Sequence, residues 1–142
     1  MRTTKSNLVL GLGFLLIAAI ACKYSASTAN ISGLKIGKDK SVSEETSTFG
    51  PNDEVYGIAT VSNAPGKVKV KGRLVVDDVP GLKSGPQPNL EKTLDLPGSG
   101  TATYTFTPPP DGWPKGKYKL EVIMMNEDGE QKDTKSASFT VQ

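Results

Sequence analysis

At 142 residues the chain has the length of one domain. It contains no histidine and one cysteine, which excludes histidine-based acid–base or metal chemistry and an internal disulfide framework. The formal charge of +2 belongs to Arg2 and Lys5; beyond them fifteen basic and fifteen acidic side chains balance, so the basic excess expected of a nucleic-acid binder is missing.

In chain order, the first element is an export signal. Met1–Asn7 is basic, and Leu8–Ala21 (LVLGLGFLLIAAIA) runs fourteen residues without a charge. A basic head, a short apolar stretch and small residues at its end describe a secretory signal peptide over residues 1–21. The run falls short of the about 20 apolar residues that a spanning helix needs. Residues 22–30, CKYSASTAN, are mostly small and polar without periodicity, as expected of a flexible tether after the cysteine.

The junction Ala19-Ile20-Ala21-Cys22 resembles the bacterial lipobox, with Ala19 where that family most often has Leu. The resemblance implies a diacylglycerol on the Cys22 thiol, cleavage before Cys22 and acylation of the new amine. Two or more chains anchor a protein stably, whereas one holds it only marginally. Lys23 after the cysteine is similar to the default sorting signal, which implies the outer membrane in a two-membrane bacterium and an outward-facing position in a one-membrane bacterium. The competing reading is ordinary cleavage at Ala19-Ile20-Ala21, which leaves a free thiol at Cys22.

From residue 31 to 142 the pattern is that of strands. Alternating runs are predicted at Ile31–Lys38, Glu54–Ser62, Lys67–Val76, Leu90–Leu96, Thr101–Thr107, Lys117–Met124 and Ser136–Val141. The prolines fall between apolar runs and are read as connections. Asn63-Ala64-Pro65-Gly66 and Asn126–Glu130 are read as tight turns between antiparallel neighbours. About seven strands, all antiparallel, predict an all-β immunoglobulin-like sandwich.

Two stretches carry a resemblance. Asp111-Gly112-Trp113-Pro114-Lys115-Gly116-Lys117-Tyr118 resembles the approach to strand F in immunoglobulin-like and fibronectin-III-like domains, and Phe49–Tyr56 resembles the approach to strand B in bacterial sandwiches. The resemblance implies a tyrosine corner at Tyr118 and a packing role for Trp113. The antibody intersheet disulfide is missing, so the architecture is implied and membership of the antibody family is not.

No catalytic constellation, phosphate loop or cofactor motif is present in the sequence, and no metal site is expected: Asn126–Glu130 is too short for a twelve-residue calcium loop and reads as a polar turn. A non-enzymatic binding or structural module of the cell envelope is expected, with an accessory subunit of a larger envelope complex as the alternative. One surface stands out. By parity Lys67, Lys69, Lys71 and Arg73 share the outward face of the third strand, and Lys117 and Lys119 that of the sixth, its neighbour in immunoglobulin topology. Together with Glu121 they make six basic residues against one acid, a candidate face for an anionic envelope component, beside the competing reading of a solvated face whose lysines block edge pairing. Val75, Ile123 and Met125, outward by the same parity, are expected to seed any apolar patch for a partner protein.

Overall fold

The computed structural model describes residues 28–142; the predicted signal peptide, Cys22 and the tether up to residue 27 lie outside the described residues. The described residues form eight strands: β1 (Asn30–Gly37), β2 (Thr48–Phe49), β3 (Val55–Ser62), β4 (Val68–Asp78), β5 (Gly85–Leu96), β6 (Gly100–Phe106), β7 (Gly116–Met125) and β8 (Gln131–Val141). They make two sheets, one ordered β1-β3-β6 and the other β2-β8-β7-β4-β5. This is the immunoglobulin-like sandwich the alternation predicts, and the third and sixth predicted strands, β4 and β7, are neighbours as expected.

The period-two pattern produces the core directly. Val55, Ala59 and Val61 of β3, Val70, Leu74 and Val76 of β4, Tyr104 of β6, and Leu120, Val122 and Met124 of β7 all point between the sheets and are buried. Burial of each large aliphatic side chain contributes about 1.5–3 kcal/mol. Gly72 sits on the same inward face because Tyr104 lies across it: a Cβ there would come within 2.7 Å of the Tyr104 ring. The Tyr104 hydroxyl then donates to the Val70 carbonyl at 2.6 Å.

The two family-like stretches dock on one another and close one end of the sandwich. Trp113 N–H donates to the Pro51 carbonyl at 2.7 Å and its indole N–H to the Asp53 carbonyl at 2.8 Å. Tyr118 donates its hydroxyl to the Pro114 carbonyl, 2.5 Å away, which is the tyrosine corner. Trp113, Tyr118, Phe139 and Phe49 follow as successive ring contacts, 6.5, 5.4 and 5.2 Å between centroids. Trp113 is buried, in the packing role expected of it.

Three expectations change. First, β2 was not foreseen, and its pairing with β8 is parallel, Thr48 opposite Thr140 and Phe49 opposite Val141; two residues are too few to show a period. Second, Asn63–Gly66 does not close a hairpin: β3 and β4 lie in different sheets, so this short link crosses the core, whereas Asn126–Glu130 does join hydrogen-bonded neighbours, β7 and β8. Third, Pro86 and Pro88 are not in a connection but inside β5. β5 is the outer strand of its sheet, where a missing N–H faces away from the ladder and proline is tolerated.

Candidate functional surface

The outer face of the larger sheet carries five of the six predicted basic residues in the expected arrangement. In the β4–β7 ladder Lys69 lies opposite Met125, Lys71 opposite Ile123, Arg73 opposite Glu121, Val75 opposite Lys119 and Asp78 opposite Lys117. β8 continues the face with Thr140, Ser138 and Ser136 opposite Lys117, Lys119 and Glu121.

What the sequence analysis missed is the other neighbour of β4. β5 sets Asp95 opposite Lys69, Thr93 opposite Lys71 and Glu91 opposite Arg73. Two pairs form: Arg73 Nη2 to Glu121 Oε1 at 2.5 Å, reinforced by Nε to the same oxygen at 2.8 Å, and Lys71 Nζ to Glu91 Oε2 at 3.5 Å. The middle of the face is therefore neutralised. Lys117 and Lys119 stand at one end beside Asp78; Lys67 and Lys69 stand at the other. The basic residues along this face thus stand as two ends with two ion pairs between them. β5 runs from a glycine through two prolines to acid-bearing positions, and nothing in that composition says which sheet it joins.

The outward apolar residues do not form a patch. Val75 is 7% exposed and lies apart from the core cluster, opposite Pro86. Ile123 and Met125 are half-buried and alternate across the ladder with Lys71 and Lys69.

Lys67 and Lys69 belong to a different feature. Where β4 begins, β5 ends and the β7–β8 turn projects, a cleft of about 540 Å³ opens, lined by Lys67, Val68, Lys69, Asp95, Leu96, Pro97 and Glu127. A second cleft of about 380 Å³ shares Lys67, Val68 and Glu127 and extends to Ala29 and Lys132. The loops around them are braced: Ala64 N–H donates to Ser99 Oγ at 3.0 Å, and Ile31 N–H donates to Asp133 Oδ2 at 2.8 Å, tying the start of β1 to β8. This is the end at which the chain enters the sandwich, since Asn30 opens β1 opposite Ser62, the last residue of β3. The aromatic closure around Trp113 lies at the opposite end.

Two acid-bearing turns have structural partners. Asn126 Oδ1 accepts the N–H groups of Asp128 (3.0 Å) and Glu130 (2.9 Å), and Gly129 takes φ +82°, so Asn126–Glu130 is a hydrogen-bonded turn. Asp53 accepts the Gly50 N–H at 2.6 Å and faces Lys38 Nζ at 3.2 Å; the first of these contacts, then the second, holds its carboxyl below the usual range. Burial pushes the hydroxyls of Tyr104 and Tyr118 up, and each is used as a donor to backbone. Among the described residues no group of three or more acids, cysteines or histidines is arranged to hold a metal ion.

No protein-family model and no curated relative matches the chain. Solved structures do resemble it in fold. The soluble domain of PmoD from Methylocystis sp. (Rockwell) is 22% identical, with 77% of this chain and 89% of that one covered and a TM-score of 0.45. A Niemann-Pick type C2 protein from the Japanese carpenter ant is 17% identical, with 80% and 92% covered and a TM-score of 0.47. An immunoglobulin-like protein from Pseudomonas aeruginosa is 14% identical, with 82% and 98% covered and a TM-score of 0.49.

Proposed function

We propose that this chain is an exported lipoprotein: a non-enzymatic binding module of the bacterial cell envelope, held to a membrane through acyl chains on Cys22. The observation that carries the reading is one of spacing. A lipobox-like Ala19-Ile20-Ala21-Cys22 is followed, only eight residues after the cysteine, by the first strand of a closed sandwich. Fully extended, eight residues reach about 28 Å, at roughly 3.5 Å each. The tether thus attaches at the end with the two clefts, so that end is the one nearest the point of anchorage. Lys23 favours the outer membrane where there are two membranes. The alternative, an accessory subunit, calls for a contiguous apolar patch, and the interleaving of Ile123 and Met125 with lysines does not favour it.

Replacement of Cys22 by Ser tests the reading. Expression in a bacterium followed by membrane fractionation is expected to move the protein from the detergent-soluble membrane fraction to the aqueous fraction or to leave it unprocessed. Wild-type behaviour of Cys22→Ser would contradict it.

A further inference from the structure

We infer that the larger end cleft binds the zwitterionic headgroup of a membrane phospholipid, taking the phosphate on Lys67 and Lys69 and the ammonium on Asp95 and Glu127. The nearness of the bilayer rests on the lipid-anchor reading; the chemistry of the cleft does not.

The charges argue for both halves of that ligand. Lys67 lies just outside β4 and Lys69 is exposed on it, and neither ammonium has a carboxylate within 4.0 Å among the described residues. Two such groups at the rim of one cleft suit a phosphate diester. An anionic headgroup alone is a poor match, because the same end also carries Asp95, Glu127, Asp128, Glu130 and Asp133 against Lys67, Lys69 and Lys132. A net acidic end is repelled by an anionic surface, whereas a phosphoethanolamine surface has no net charge and sets ammonium and phosphate groups side by side. The lysines, on long flexible stems, can reach the phosphates while the carboxylates take the ammonium. Val68, Leu96 and Pro97 supply an apolar wall against which the glycerol and first acyl carbons can pack. A volume of about 540 Å³ falls within the range of small-ligand sites.

The position in the fold is specific too. The chain enters beside this cleft at Ala29, which lines the adjoining one. Lys117 and Lys119, at the other end of the same sheet and outside the cleft, are an internal control.

The test uses the full mature chain in neutral detergent micelles, isotopically labelled, titrated with glycerophosphoethanolamine and in parallel with glycerophosphoglycerol, which has the phosphate but no ammonium. Backbone amide shifts are expected at Lys67, Lys69, Leu96 and Glu127 with the ethanolamine compound and at least several-fold weaker with the glycerol compound. Lys67→Glu and Glu127→Lys, both outside the ladders, are each expected to weaken binding about tenfold, as for loss of one charge-assisted hydrogen bond; Lys117→Glu is expected to leave it unchanged. Equal response to the two compounds, shifts centred on Lys117 and Lys119, or no shift at the cleft at saturating concentrations would each overturn the inference. A second arm identifies the source. With a fluorophore on Gly66→Cys, which lines the adjoining cleft and where a Cβ meets nothing within 4 Å, phosphatidylethanolamine vesicles are expected to shift its emission more than phosphatidylglycerol vesicles do; a response to the soluble headgroup with none to vesicles would overturn the membrane assignment. The titration does not depend on acylation, so failure of the anchor and failure of the cleft give different results.

Discussion

Tyr104 and Gly72 work as a unit. The ring fills the space a side chain at 72 would need, and the hydroxyl is satisfied by Val70 only because the ring lies there. Gly72→Ala is expected to cost about 1–3 kcal/mol through overpacking, read as a lowered urea midpoint with an unchanged slope. Tyr104→Phe leaves a buried carbonyl with a lost partner and is expected to cost about 1–3 kcal/mol. The tyrosines also set an alkaline limit. Their folded-state pKa values lie above the unfolded one of about 10, so the stability they contribute is complete below pH about 10 and is lost as pH rises through the higher folded values. Melting temperature is expected to fall between pH about 10 and 12, and less steeply in Tyr104→Phe. Asp53 has the opposite sign: its carboxyl is depressed, so its contribution is present above pH about 4 and is lost on acidification. Asp53→Asn is expected to flatten the acid limb, and a limb identical to wild type would show that the Gly50 contact has no stabilising role. The sequence shows Tyr118 and Trp113 as structural residues because a local motif surrounds them. It does not show Gly72 as the seat of Tyr104, since that pairing joins residues of two different sheets.

Strands are the most legible layer of this protein. β3, β4, β6 and β7 read clearly because each buries one face and leaves the alternate positions more exposed. β5 reads poorly because neither of its faces is well buried and its prolines resemble punctuation. That ambiguity is the reason the basic face looked uniform: Leu90–Leu96 reads as a strand but not as the neighbour of β4, so Glu91 and Asp95 had no place on the face. The Arg73–Glu121 pair is about one-quarter exposed on both sides, 26% and 22%, so a double-mutant cycle is expected to give at most about 1 kcal/mol of coupling. The outer strands differ in protection. β5 carries two prolines, two acids and a lysine, whereas β6 (GTATYTF) carries no charge and no proline and pairs on one side only, with β3. Thr105→Lys on β6 is expected to leave stability within about 0.5 kcal/mol while slowing heat-induced aggregation measured by light scattering, because a charge blocks edge pairing.

For the whole molecule, polarity along the long axis matters more than polarity between the faces. The chain enters at one end, among clefts lined by both signs of charge; the opposite end is sealed by Trp113, Tyr118, Phe139 and Phe49. The clefts were not legible in the sequence because they are made by loops from both sheets, Pro65–Lys67, Leu96–Pro97 and Asn126–Asp128, whose approach depends on β3 and β4 lying in different sheets. The central claim is the acylated Cys22. Mass spectrometry of the N-terminal peptide from protein extracted out of the membrane fraction tests it most directly. It is expected to begin at Cys22 and to carry a thioether-linked diacylglycerol with a further fatty acyl group on the amine; a peptide with an unmodified Cys22 thiol, or one that begins elsewhere, would contradict it.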